Sequence, residues 1–199
     1  MQKNNKKHIV TNWLVDSGVI KKEETELYDY AITSLMLLIT PFVLTLLIGI
    51  VLGYPLEAIV MVIPFMTLRK FCGGLHLRKL YICLILSIVL LSISLLLAIV
   101  IETLSLWYCI YIIDGVIIII KCPLEDINKK ISYEQKNRYK KISIIQWIVY
   151  LVVITALIFI KWFDLAKCIM SGVTLTSVMM IIGSLVNSIK TRRINHEKK

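Results

Sequence analysis

His76 is followed seven positions later by Cys83, and two adjacent glycines precede the histidine in the stretch Arg69-Lys70-Phe71-Cys72-Gly73-Gly74-Leu75-His76. A thiol and an imidazole within hydrogen-bond reach make a nucleophile and its general base, the minimum equipment for attack on a peptide carbonyl. The chain has three histidines, and the other two, His8 and His196, lie in its polar tails. In one straight helix, residues seven apart share a face but stand about 10 Å apart along the axis, too far for proton transfer. The helix that carries Cys83 is therefore expected to begin after His76. The Gly73-Gly74 pair would turn the backbone so that the imidazole folds back over the thiol. Arg69, Lys70, Arg78 and Lys79 add positive potential that favours a thiolate, while burial at a membrane edge opposes it.

Other residues compete for these roles. A cysteine in a membrane helix is commonly a small apolar residue, and a boundary histidine is commonly an interfacial polar group. Cys72 is a second nucleophile candidate. Cys72 and His76 could also form half a metal site, but no second ligand pair stands nearby, so neither metal nor cofactor is expected. Asp114 interrupts an apolar run, and an intramembrane carboxylate is a functional candidate by default. It could orient His76, hold Arg69, or serve as a paired structural group between helices. Asn128 could likewise orient His76. Ser87, Ser92 and Ser94 read as helix-packing hydroxyls rather than nucleophiles.

The elements that must position these groups are membrane helices. The 199 residues are 58% hydrophobic, with a mean hydropathy of +0.80, above the usual range for a soluble domain. Residues 31–56, 80–101, 142–160 and 168–189 contain no charge, and 104–120 contain only Asp114. Each approaches or exceeds the roughly 20 helical residues that cross a bilayer. A backbone in lipid must satisfy its own hydrogen bonds, which makes these runs helices. Residues 58–68 are apolar but about half the usual spanning length, so this segment is expected to be thin, tilted or re-entrant. Pro41 and Pro64 fall inside apolar runs, where proline removes a donor and bends a helix.

The +10 net charge is not the footprint of a nucleic-acid binder, because its placement follows the apolar runs. Of the 23 Lys and Arg residues, 21 lie in four blocks: the N-terminal tail, residues 69–79, residues 121–141 and the C-terminal tail. If all six apolar segments cross, the four blocks share one side, which the positive-inside rule makes cytoplasmic. The expected fold is all-α and polytopic, with about six embedded helices and both termini cytoplasmic. Residues 1–30 form a cytoplasmic or interfacial N-terminal segment, either a solvated lead-in or one in which Ile9, Val10, Trp13, Leu14 and Val19 suit an amphipathic helix that Asp16-Ser17-Gly18 would end or bend. Residues 31–189 form the membrane domain and 190–199 a basic tail. The polar, basic start does not read as a signal peptide. Five cysteines scattered among the apolar runs do not form a disulfide framework.

The order Arg69-Lys70-x-x-Gly73-Gly74-x-His76, with Cys83 seven positions on, resembles the signature of the accessory gene regulator B (AgrB) family. The resemblance continues into Cys122-Pro123-Leu124-Glu125-Asp126-Ile127-Asn128-Lys129-Lys130, which looks like that family's Pro-x-x-x-x-Asn-Lys segment before a basic loop. The resemblance implies a membrane cysteine endopeptidase with Cys83 as nucleophile and His76 as general base. Arg69, Lys70, Gly73, Gly74, Asp114, Asn128, Lys129 and Lys130 would support the site or bind substrate. Cys72 departs from the pattern, since many relatives carry a small residue there. The implied substrate is an AgrD-like propeptide with an amphipathic helix, a central signal region and an acidic tail, cut at the bacterial cytoplasmic membrane and closed to a thiolactone or lactone. The implied partners are that propeptide, membrane lipid and a second copy of the chain, with no nucleic acid. A small transporter or channel component, or a non-catalytic assembly partner, would also account for the helices, but would leave the Gly-Gly-His and Cys constellation without a role.

Overall fold

A computed structural model of the chain describes residues 9–18, 20–73, 80–124 and 132–197. Every regular element among them is helical: α1 (Ile9–Asp16), a short 3-10 turn (Lys22–Glu24), α2 (Thr25–Leu52), α3 (Pro55–Cys72), α4 (Leu80–Val100), α5 (Leu104–Lys121), α6 (Tyr133–Phe159) and α7 (Phe163–Glu197). The protein is an all-α membrane protein. The chain divides into two compact units, residues 1–43 and 44–199.

In the first unit, α1 ends where the sequence predicts. The Ser17 amide donates to the Trp13 carbonyl at 2.9 Å, the Gly18 amide donates to Val15 at 3.0 Å, and Gly18 has a positive φ. The Thr11 hydroxyl donates to the Asp29 carboxylate, joining α1 to the start of α2. Pro41 sits inside α2, which continues on both sides of it.

In the second unit α7 is the hub, and α3, α4, α5 and α6 all pack on it. Its most apolar stretch is largely buried, whereas α6 turns most of its apolar surface outward, as a lipid-facing helix must. Met61, Val62, Phe65, Leu68, Met170, Val173 and Met180 fill the interior of the bundle. Polar ties span it. Ser94 and Ser171 join α4 to α7 with hydroxyls 2.8 Å apart, and Thr67 meets the Tyr150 hydroxyl at 2.7 Å between α3 and α6. Tyr111 donates to the Trp147 carbonyl at 2.6 Å, with the two rings stacked at 5.3 Å between α5 and α6. Ser94 therefore acts in helix packing, as its sequence context predicts.

The short apolar run at 58–68 belongs to a longer helix. With 18 residues, α3 extends about 27 Å at 1.5 Å per residue, close to the thickness of the hydrocarbon. Its low hydropathy has a physical reason: Ala58, Met61, Val62, Pro64, Phe65 and Leu68 face protein rather than lipid, so α3 need not be apolar all round. Two further boundaries differ from expectation. Residues 133–141, read as basic loop, are the start of α6, and residues 190–197, read as tail, continue α7. Once a helix is nucleated, each added residue gains a hydrogen bond, and Lys, Arg, Glu and Gln are good helix formers.

Among the described residues, α5, α6 and α7 each carry a stretch long and apolar enough to cross a membrane. Three of the basic segments meet at one end of this unit. The end of α5 bonds the end of α3 through Leu124 N–H to the Cys72 carbonyl at 2.8 Å, Phe71 packs on Tyr139 near the start of α6, and Lys121 reaches the Ser184 hydroxyl of α7 at 3.4 Å.

Candidate active site

The last turn of α3 carries Arg69 and Lys70, cations at the end of a helix where the backbone dipole is negative. Arg69 lies 5.4 Å from the Phe65 ring centroid and Lys70 lies 5.6 Å from that of Phe71. These cation–π contacts keep both charges at the helix end. Gly73 then stops the helix. Its amide donates to the Arg69 carbonyl at 3.1 Å, and its backbone stands at φ 75°, ψ −169°, a region essentially reserved for glycine. A Cβ on Gly73 would stand 2.9 Å from the carbonyl oxygen of Leu124. The segment after α5 thus lies directly against the turn, which explains why the first position of the Gly-Gly pair needs glycine.

A three-residue polar node holds that segment in place. Cys72 Sγ is 3.4 Å and Cys122 Sγ 3.2 Å from the Ser143 hydroxyl, and Ser143 donates its own proton to the Tyr139 carbonyl at 3.0 Å. A hydroxyl has one proton to give and two lone pairs to offer, so Ser143 is saturated when both thiols donate to it. All three side chains are buried. Cys72 is the last residue of α3, and Cys122 is the first residue after α5. Cys72 is thus a buried thiol whose polar partners lie inside the fold.

Cys83 falls in the first turn of α4. His76, Gly74, Asn128, Lys129 and Lys130 lie outside the described residues. Asp114 is buried in α5, where it accepts from the Thr174 hydroxyl of α7 at 2.7 Å. It does not pair with Arg69, whose described contact is Phe65. Asp114 lies about two helical turns before the end of α5. Sequence reasoning missed Ser143, because it sits in a charge-free apolar run with nothing to distinguish it from other helix-packing serines. It also missed the contact between Leu124 and Gly73, which joins residues 51 positions apart in the chain.

A family model described as accessory gene regulator B matches residues 7–181, which spans both the Gly73 turn and the segment that covers it. The chain belongs to the accessory gene regulator B family. It is also similar to an AgrB-like protein of Clostridium perfringens (strain SM101 / Type A), with 22% identity over 165 residues that cover 79% of this chain and 77% of that protein. No solved structure matches the chain. Family membership gives it a role in the accessory gene regulator system. In this AgrB-family chain, the motif residues that are described cluster at the basic end of the bundle, where α3 stops, α5 stops and α6 begins.

Proposed function

We propose that the protein is a membrane cysteine endopeptidase that removes the acidic C-terminal tail of an AgrD-like propeptide and promotes its cyclisation. The observation that carries this reading is the turn at Gly73. It leads from the basic end of α3 into the segment that holds His76, and the chain re-emerges in α4 with Cys83 in the first turn. Family membership supports the assignment of Cys83 as nucleophile and His76 as general base. A thiol near a helix N-terminus and basic side chains has its thiolate favoured.

In the proposed reaction, His76 takes the thiol proton and Cys83 sulfur attacks the carbonyl before the tail. The peptide C–N bond breaks, the tail leaves as an amine carrying the proton returned by His76, and the signal region stays on Cys83 as a thioester. A thiol or hydroxyl within the signal region then attacks the thioester carbonyl, closes a thiolactone or lactone and frees Cys83. Hydrolysis would discard the acyl-transfer potential that the thioester conserves, so a site shielded from water at the lipid edge favours ring closure. Lys140 and Lys141, with Lys129 and Lys130, offer the acidic tail an electrostatic partner. Both tails and the basic segments face the cytoplasm of a bacterial cell in this reading, and the chain acts at the cell membrane as a homodimer.

The test is co-expression with an AgrD-like propeptide that carries an amphipathic helix, a signal region and an acidic tail, followed by mass spectrometry of cell extracts. Wild type should yield a tail-less, cyclised product, and Cys83→Ala should yield the intact propeptide alone. Equal processing by both would rule out the protease reading and favour transport.

A further inference from the structure

The candidate mechanism uses neither of the two buried thiols at the basic end of the bundle, nor the hydroxyl between them. Their arrangement joins three elements that are distant in sequence. Cys72 is the last residue of α3, Cys122 follows the end of α5, and Ser143 lies in α6. Ser143 has no exposed surface, and its hydroxyl proton is committed to Tyr139 within its own helix at 3.0 Å. Its two lone pairs therefore face the thiols at 3.4 and 3.2 Å. Beside the thiol arms the backbones lock: Leu124 N–H donates to the Cys72 carbonyl at 2.8 Å, and the Leu124 carbonyl oxygen would stand 2.9 Å from a Cβ on Gly73.

We propose that Ser143 is a positioning residue for peptide cleavage: by gathering the Cys72 and Cys122 thiols, it clamps residues 122–124 against the Gly73 turn and so fixes the entry to the His76 segment. This inference rests on the protease reading above. Each thiol is a weak donor, so neither arm is decisive alone. Their shared acceptor is the point at which α6 sets the separation between the end of α3 and the end of α5. Replacing Cys72 or Cys122 singly removes one arm, whereas Ser143→Ala releases both and deletes a single oxygen from a helix that alanine favours. The variant should therefore fold and insert. The direct consequence is a looser Leu124–Cys72 backbone bond, and the indirect one is a misplaced dyad. A misplacement of about 1 Å can cost on the order of 100-fold in rate, so partial loosening is expected to cost roughly tenfold.

The experiment compares wild type, Ser143→Ala, Cys83→Ala and Thr155→Ala in membrane nanodiscs. Thr155 also bonds the carbonyl four residues back in α6, at 2.8 Å, and is exposed, so its variant controls for the loss of an intrahelical hydroxyl bond. Two readouts are taken: hydrogen exchange at the Gly73 and Leu124 amides, and cleavage of a synthetic peptide with an amphipathic helix, a cysteine-containing signal region and an acidic tail. Ser143→Ala should exchange faster at both amides and lose roughly tenfold in kcat with KM unchanged, because the tie governs dyad geometry rather than substrate capture. Thr155→Ala should match wild type in both. Unchanged exchange in Ser143→Ala would overturn the clamp whatever the activity. Faster exchange with an unchanged kcat, or with a loss confined to KM, would overturn the positioning role. If wild type and Cys83→Ala both leave the peptide intact, the protease reading fails, and the clamp itself is still decided by the exchange rates.

Discussion

Replacing Gly73 with alanine should disable cleavage without dismantling the bundle. Gly73 stands at φ 75°, ψ −169°, and holding a residue with a side chain there costs about 1–3 kcal/mol. The new Cβ would also stand 2.9 Å from the Leu124 carbonyl oxygen. That oxygen is backbone, and it can retreat only by stretching or breaking the bond from the Leu124 amide to Cys72, worth about 1 kcal/mol. The total, roughly 2–4 kcal/mol, exceeds what one backbone bond and one polar node can withstand. The turn should therefore relax locally, while the packing of α3 on α7 stays in place. A relaxed turn moves the His76 segment relative to Cys83, and a shift of about 1 Å lowers the rate on the order of 100-fold. Gly53→Ala is the control. Gly53 also has a positive φ, 82°, but a Cβ there meets nothing within 4 Å, and it lies in the turn before α3, at the opposite end of that helix. The assay is propeptide cleavage in membrane vesicles, normalised to the amount of monodisperse protein extracted in detergent. Gly73→Ala should be inserted at the wild-type level and cut about 100-fold more slowly, with Gly53→Ala close to wild type. Cleavage by Gly73→Ala within about threefold of wild type would refute the reasoning, since a 2–4 kcal/mol conflict at this turn could not leave the dyad undisturbed.

Other outcomes follow from the same geometry and from the charge pattern. Cys83→Ala and His76→Ala should each abolish release of the tail, while Cys72→Ala should retain it. A trapped acyl-enzyme should add the mass of the N-terminal part of the propeptide to a fragment containing Cys83, and adduct on Cys72 instead would redraw the dyad. Cysteines introduced at positions 5, 132 and 196 should resist an impermeant thiol reagent in intact cells, and labelling at 132 alone would sink the six-segment topology. Replacing Lys129, Lys130, Lys140 and Lys141 with Gln should weaken processing, and the defect should shrink when the acidic tail of the substrate is neutralised as well. Strictly independent effects of the two changes would argue against direct pairing.

Much of the fold is legible in the sequence because lipid imposes a strong rule. Runs without charge become helices, and the breaks between helices fall at Gly53–Tyr54, around Glu102 and around Lys161. The rule is weakest where a helix is shielded from lipid. The hydropathy of α3 predicts half a span, yet the helix runs for 18 residues because its neighbours cover its interior face. The same rule misses helix that leaves the membrane, as at 133–141 and 190–197, since charged residues end an apolar run without ending a helix. For the site, adjacent glycines before a histidine point to a turn, and Gly73 supplies it. What covers the turn could not be read. The contact of Leu124 with Gly73 and the meeting of Cys72, Cys122 and Ser143 join residues from three separate elements, and no periodicity within one element encodes a contact of that kind.

The fate of Cys72 shows what the three-dimensional arrangement adds to the motif. By spacing, Cys72 and Cys83 flank the same Gly-Gly-His stretch, and Cys72 is the nearer to His76, four residues away against seven. A nucleophile, however, needs a path for substrate, a base, and a stabilised thiolate. Cys72 has no exposed surface, its sulfur lies against Ser143, and its carbonyl is occupied by Leu124. To react, Cys72 would have to leave the node and take the covering segment with it, undoing the same contacts that fix the turn. A thiol whose activation dismantles its own surroundings is poorly suited to the role of nucleophile. Cys72 instead contacts the residues that hold the turn, and the proposed chemistry falls to Cys83, on the far side of the histidine.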